Sequence, residues 1–300
     1  MTTQLVASRP QESDYRLNAQ GSLNDSGTLS TLLEKVYRET GYDFRGYKCG
    51  TVTRRLKRRL YATGANTYLE YIQFLNNHPA EYERLTEDLT ITVSEFFRNP
   101  DTFQQVARLV LPELLPGRRN GRQQSLRIWS AACAQGEEPY SIAIMLNEFL
   151  KDRLGDFNIS LYATDISKYA LHEAQAGLYS AKVIENLPHH IQKKYFTRQD
   201  AGYTINSNIR QMVKCSQLDL VSNTNSPFLN LDCIFCRNVL IYLQKQLQAR
   251  VLGMLYNSLA TPGYLVLGEV ETPTDNLRGK LECLDSKAKI YVKKWRNDYV

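Results

Sequence analysis

The chain has 300 residues, 43% of them hydrophobic and 23% charged, with a formal net charge of +6 and a pI near 8.9. Such a balance describes a globular chain long enough for two cores and excludes a collagen-like, low-complexity or disulfide-scaffold protein. No stretch approaches the ~20 apolar residues of a membrane span and the polar start MTTQLVASRP lacks a signal-peptide core, so a cytoplasmic chain without membrane insertion is expected.

Residues 1–27, rich in Ser, Asn, Gln and Gly, read as a disordered tail. From 28 to 97 the pattern is helical. TLSTLLEKVYRETG and TVTRRLKRRLYATG each end in a glycine stop, TYLEYIQFLNNHP closes at a proline, and AEYERLTEDLTIT spaces its apolar residues three and four apart. These predict a small all-helical domain. Residues 98–122, with Pro100, Pro112, Pro116 and the basic turn GRRNGR, read as a linker around one amphipathic segment. From 123 to 300 strand and helix patterns alternate: LRIWSAA, EEPYSIAIMLNEFLKD, ISLYATD, SKYALHEAQAG, then LDCIFCRNVLIYL, QKQLQARVLGMLYNSLA and GYLVLGEV. Alternation of this kind predicts an α/β domain with a parallel sheet covered by helices. Within it, period-two patterning around Gly202 predicts a small antiparallel β-hairpin insert over about 192–216.

In a doubly wound sheet, ligands bind beyond the carboxyl ends of the strands. Three polar clusters follow apolar strands: AACAQGEEP, the Asp165 of LYATDIS, and Arg237-Asn238. In the first, Glu137 and Glu138 open a helix where nucleotide folds usually receive a pyrophosphate, which two carboxylates would repel. The turn lacks a Lys-Ser/Thr pair and a full Gly-x-Gly-x-x-Gly, which argues against NAD and ATP. A phosphate-free cationic nucleoside suits it, and S-adenosylmethionine carries a sulfonium and an ammonium. Asp165, about thirty residues on, stands where such folds hold ribose hydroxyls, although an Asp there also suits a cap for the helix after Ser167. Cys233 and Cys236 lie in an apolar run with no second ligand pair at zinc spacing, so they read as core cysteines and no metal is expected.

The set SEFFRNP, IWSAACAQGEEPYSIAI, ATDIS and DCIFCRNVLIYL, in this order, resembles the CheR-type chemotaxis receptor methyltransferases, over about residues 28–293. The resemblance implies a Rossmann-like class I S-adenosylmethionine methyltransferase domain behind an all-α receptor-docking domain. It implies transfer of the methyl group to glutamate side chains of methyl-accepting chemotaxis receptors, with S-adenosylhomocysteine as product, by a monomer that binds no nucleic acid. The family pattern T-x-N-x-T-x-F-F-R falls on Thr90 to Arg98, so Thr92, Ser94 and Arg98 are implied at the methionine end, with Thr92 standing where the family has Asn. Glu138 is implied at the cofactor's amino group, Asp165 at its ribose, Gln217 and Leu218 near the adenine, and Arg237 and Asn238 beside the sulfonium. Tyr242 is implied near the transferring methyl. The family's G-H-S-E is represented by Gly268-Glu269-Val270-Glu271, which departs at two positions.

A carboxylate acceptor is already ionised near neutral pH, so orientation by Arg98 and Tyr242 replaces a general base. In TVTRRLKRRLYATG, Arg54, Arg55, Arg58 and Arg59 fall on one side of the helix, opposite Leu56 and Leu60. In the resembled family that basic face meets the acidic receptor helices. The hairpin corresponds to a subdomain that captures a receptor tail in some relatives, and its short turn predicts no tethering here. Two other readings stand beside this one: a nucleic-acid methyltransferase, and a cofactor-binding regulatory module without turnover.

Overall fold

The computed structural model describes residues 26–116, 123–222 and 225–294. Most of the tail expected over 1–27 and the basic turn 117–122 lie outside the described residues; residues 26 and 27 already belong to the first helix. Among the described residues no helix is long and apolar enough to cross a membrane.

Four helices form the first unit: α1 (Ser26–Thr40), α2 (Cys49–Thr63), α3 (Tyr68–Asn77) and α4 (Glu81–Leu89). Leu32, Leu33 and Val36 of α1 and Val52, Leu56 and Leu60 of α2 bury the stripes that their spacing predicts, against Tyr71, Leu75 and Leu85. Gly64, at φ +75°, closes α2 in the left-handed conformation, and the Thr67 hydroxyl caps α3 by accepting from the Glu70 N–H. Beneath this apolar core runs a buried ion pair. Arg59 Nη2 donates to both oxygens of Glu81 at 2.7 and 2.8 Å, and the Tyr71 hydroxyl donates to the same carboxylate at 2.8 Å.

The second unit opens with α5 (Pro100–Leu109) and α6 (Leu111–Leu114), then runs β1 (Gln124–Ala131), α7 (Glu137–Leu150), β2 (Phe157–Asp165), α8 (Lys168–Ala176) and β3 (Leu178–Tyr179). It continues with α9 (Ala181–Ile184), α10 (His189–Tyr195), β4 (Phe196–Gln199), β5 (Gly202–Ile205), α11 (Ser207–Arg210) and β6 (Val213–Gln217). Then come β7 (Leu231–Cys236), α12 (Lys245–Ser258), β8 (Leu259–Leu267), β9 (Glu282–Asp285) and β10 (Ile290–Lys293). The main sheet has the order β6-β2-β1-β7-β8-β10-β9. Strand order reverses between β1 and β7, which opens the ligand crevice of a doubly wound fold at their carboxyl ends.

Side chains alternate along the central strands. Leu126, Ile128, Cys233 and Phe235 meet α5 and α7 on one face, whereas Trp129, Ala131, Ile234 and Cys236 meet α12 on the other. Cys233 and Cys236 are therefore core residues on opposite faces of one strand, 1% and 0% exposed.

Three expectations change. The sheet is mixed rather than parallel, because β10 runs antiparallel to β8 and β9 antiparallel to β10; the turn 286–289 joins β9 to β10 directly, with no helical crossover. The stretch expected as a linker over 98–122 contributes α5 and α6, whose Phe103, Val106, Val110 and Leu111 belong to the sheet's core. The insert is a three-stranded sheet, β3-β5-β4, that begins at Leu178, and Val213–Gln217 pairs with β2 in the main sheet instead. Gly202 is required in it: a Cβ there would lie 2.3 Å from the Tyr179 carbonyl oxygen, at a φ of +147°.

Glu81 is 3% exposed, so Glu81→Ala strands the Tyr71 hydroxyl inside the helical unit and leaves the partly buried Arg59 guanidinium with Asp88 as its one acidic partner among the described residues. The expected cost is about 3–5 kcal/mol in chemical denaturation. An Arg59→Met, Glu81→Leu double variant, which removes both charges, is expected to lose less than Glu81→Ala alone.

Candidate active site

The carboxyl ends of β1, β2 and β7 surround a cleft. Ser94, Arg98, Glu138, Asp165, Arg237, Asn238 and Tyr242 all line it, although they are spread over the chain from the end of the helical unit to the turn after β7. Thr92, Gln217 and Leu218 do not. Ile91 and Val93 line the cleft on either side of Thr92. The Gln217 amide donates to the Tyr42 hydroxyl at 3.1 Å and to the Ile166 carbonyl at 3.0 Å, which ties the two units together behind the wall. Leu218 donates its N–H to the Asp165 carbonyl at 3.0 Å and packs on the α12 side of the sheet.

The small residues of AACAQG follow from the backbone that the turn adopts. Ala132, Ala134 and Gly136 have φ of +62°, +49° and +93°, and a Cβ on Gly136 would come within 3.0 Å of Ala174. Of eight non-glycine residues with positive φ among those described, Phe97, Asn99, Ala132, Ala134 and Asn238 belong to the segments that build this cleft. Such concentration of strained backbone is characteristic of functional sites.

Asp165 is 6% exposed, and its oxygens accept from the Ala134 and Ser167 N–H groups at 2.9 Å each. Burial pushes its carboxyl upward, and those N–H groups pull it back. The helix-cap alternative is resolved differently: Ser167 caps α8 by accepting from the Ala170 N–H, while Asp165 braces the first turn. Each Asp165 oxygen retains a lone pair for a hydroxyl donor.

Glu138 accepts from the Ser130 hydroxyl at 2.8 Å and faces Arg237 Nη1 at 3.5 Å. Burial raises its carboxyl, against the pull of Arg237 and Ser130. Arg237, with a side chain 1% exposed, also donates Nη2 to the Arg98 carbonyl at 2.7 Å and to Asn99 Oδ1 at 2.9 Å. SEFFRNP is thereby locked onto the methyltransferase unit. Phe96 sits edge-on to Tyr179 and Phe196 of the small sheet, and the Phe97 N–H donates to the Ser141 hydroxyl at 2.8 Å.

Glu271 is a residue whose role spacing alone could not reveal. It is 4% exposed, and its two oxygens accept four backbone N–H groups, from Asn238, Gly268, Val239 and Ile241, at 2.7–3.2 Å. A Cβ on Gly268 would meet Glu271 at 2.7 Å. The positions of GEVE that match the family pattern are the buried ones, while Glu269 and Val270 point to solvent, Val270 being 77% exposed. The departures therefore fall where they cost little. Tyr47, from the helical unit, also lines the cleft and had no signal in the sequence.

The basic face of α2 divides. Arg54 and Arg58 are exposed, Arg58 paired with Asp88, and Arg55 is half-buried and donates to the Asp88 carbonyl at 2.7 Å. Arg59 is not part of an outward docking face: Glu81 and Asp88 hold it inside the unit.

The family model described as "CheR methyltransferase, all-alpha domain" matches residues 28–90, and "CheR methyltransferase, SAM binding domain" matches residues 92–290. The chain belongs to the CheR methyltransferase family. It is 35% identical over 244 residues to "Chemotaxis protein methyltransferase 2" of Pseudomonas aeruginosa, with 79% of this chain and 84% of that one covered. It is 32% identical over 251 residues to "Chemotaxis protein methyltransferase" of Borreliella burgdorferi, covering 83% and 89%. A match of 32% over 250 residues to an "Uncharacterized 104.1 kDa protein in hypE 3'region" of Rhodobacter capsulatus covers 83% of this chain but 26% of that longer protein. The chain is thus a CheR-type methyltransferase with S-adenosylmethionine as its cofactor. The cleft fits that group: the half-buried Glu138 and the buried Asp165 suit its positive charges, and the alanine-lined turn offers no cationic cradle for phosphate.

Glu137, at the first position of α7, departs from the simple role of helping the helix start. It is 3% exposed, its Oε2 has no hydrogen-bond partner, and burial pushes its carboxyl from an ordinary 4.5 up to about 7. Because the folded protein binds this proton more tightly, the associated stability is full below pH 4.5 and is lost as pH rises to 7. The loss is about 3 kcal/mol. Glu137→Gln is expected to flatten the profile of melting temperature between pH 4.5 and 7 and to melt above the wild type at pH 8.

Proposed function

We propose that the chain is a protein-glutamate O-methyltransferase that esterifies glutamate side chains in the cytoplasmic domain of methyl-accepting chemotaxis receptors, in the cytoplasm. The observation that carries the reading is a cleft lined by two acids, Glu138 and Asp165, together with Arg98 and Tyr242. The α2 arginines Arg54, Arg55 and Arg58, on the helical unit, are proposed to meet the anionic acceptor.

When bound, S-adenosylmethionine supplies a methyl group on a cationic sulfur. In this reading Glu138 holds the ammonium and Asp165 the ribose hydroxyls, each by charge-assisted hydrogen bonds worth about 1.5–3 kcal/mol. Ser94 and Asn238 border the same space. Arg237 acts by holding Glu138 through Nη1 and the Arg98 carbonyl and Asn99 side chain through Nη2. Gln217 and Leu218 brace the adenine side from behind, and Thr92 has no direct contact.

Among the described residues the Arg98 side chain donates one bond, at 3.4 Å to the Val93 carbonyl, and its remaining guanidinium donors suit a carboxylate. Tyr242 lines the cleft opposite and positions the same acceptor. A glutamate carboxylate is ionised at neutral pH and attacks without a general base, so catalysis rests on orientation and exclusion of water.

Incubation with labelled S-adenosylmethionine and receptor cytoplasmic fragments is expected to give base-labile methyl esters. Glu138→Ala and Asp165→Ala are each expected to weaken cofactor binding about tenfold or more in calorimetry. Cofactor binding without any ester formation would favour a regulatory module and overturn the catalytic reading.

Docking through Arg54, Arg55 and Arg58 is electrostatic, so raising the salt concentration should slow receptor methylation while changing cofactor affinity little. Turnover insensitive to salt would count against that surface. The turn between β4 and β5 comprises only residues 200–201, and a receptor C-terminal peptide is expected not to bind the isolated protein.

A further inference from the structure

We infer that Tyr47, on the turn that joins α1 to α2, contacts the nucleoside end of the cofactor with its ring and its hydroxyl, so that the helical unit completes the cofactor site. The inference rests on the methyltransferase reading and adds a residue to it from the other unit.

Tyr47 is held in the cleft by backbone bonds on both sides. Tyr47 and Leu243 form an antiparallel bridge, the Lys48 N–H donates to the Tyr242 carbonyl at 2.8 Å, and the Gln244 N–H donates to the Gly46 carbonyl at 2.9 Å. The Gln244 amide adds a bond to the Tyr47 carbonyl at 3.1 Å. The ring packs edge-on to Phe44 at 5.3 Å between centroids and touches both the helical core and the α12 face of the sheet. A side chain fixed this firmly between two cores, yet still lining a ligand cleft, is preorganised for contact.

Its position along the cleft follows from its neighbours. Phe44, on which Tyr47 packs, also meets the ring of Tyr42, and the Tyr42 hydroxyl accepts from Gln217, the strand partner of Asp165. Tyr47 therefore belongs to the side of the cleft at the end of β2, where Asp165 would hold the ribose. Burial, with Asp219, Asp165 and Asp43, pushes the phenol up, so it remains a hydrogen-bond donor throughout the neutral range. An aromatic face and a hydroxyl beside a ribose-binding acid suit a purine nucleoside.

The test separates this contact from a purely structural role by using 5′-methylthioadenosine, which keeps the nucleoside and lacks the amino-acid end, beside S-adenosylhomocysteine. Tyr47→Leu is expected to weaken both ligands equally, about tenfold or more, with the KM for S-adenosylmethionine rising and kcat within about twofold of wild type. Tyr47→Phe, which preserves the packing, is expected to weaken both about threefold through loss of the hydroxyl. Unchanged affinities in Tyr47→Phe overturn the hydroxyl contact even if Tyr47→Leu fails to fold. A fall in kcat at unchanged KM overturns the inference as well, because Tyr47 would then act only through Tyr242. Failure of the wild-type protein to bind either ligand would instead sink the methyltransferase reading itself.

Discussion

Arg237 is the constraint on which the site depends. Removing a guanidinium from water costs several kcal/mol, and a side chain 1% exposed bears nearly all of that cost. The offset comes from segments far apart in sequence: the Glu138 carboxylate, the Arg98 carbonyl, the Asn99 amide oxygen and the ring of Phe103 at 5.4 Å. A buried cation is therefore stable only when SEFFRNP, the start of α7 and the end of β7 are in register. The same network fixes the Glu138 carboxylate through Ser130 and Arg237 and leaves it a lone pair for a second cation.

A second carboxylate does comparable work on the opposite wall. Glu271 gathers the N–H groups of Asn238, Val239 and Ile241, backbone donors that a sharp turn after β7 would otherwise leave unpaired. Asn238 can then adopt φ +61°, and the next residues carry Tyr242 to the cleft. The Tyr242 carbonyl is taken from the other side by the Lys48 N–H. Tyr242 thus sits between a peptide unit fixed by Glu271 and one fixed by the helical unit. The two units thus share one wall of the cleft.

Much of this was legible in the residues. Periodicity located the four helices and the alternating strands, because amphipathic burial is local and repeats at a fixed spacing. Seven of the ten residues expected at the cofactor cleft line it. What the residues did not show depended on pairing across long separations. The Gln217 amide donates to Tyr42 and Ile166, and nothing in SQLDL says so. Arg59 shares a helical face with Arg55 and Arg58, and only the packing of α4 against α2 turns it into an internal ion pair. The β9–β10 edge consists of four-residue strands too short for a pattern, and the linker reading over 98–122 gave its prolines more weight than the apolar stripe of α5.

The charge distribution bears on why an acidic acceptor and an acid-lined cofactor site can coexist. An ionised glutamate entering a low-dielectric cleft would be repelled by Glu138 and Asp165 if they stood alone. Arg237 neutralises the first from within, and backbone dipoles of Ala134 and Ser167 offset the second. A cationic cofactor adds positive charge between those acids and the mouth. On the mouth side Arg55, half-buried and influenced by Tyr242, has its guanidinium disfavoured by burial and by Arg58 and Arg54. An incoming carboxylate would relieve that repulsion while losing its own water. In the proposed reaction the acceptor is thus drawn toward the arginines of α2, whose mutual repulsion its carboxylate would offset.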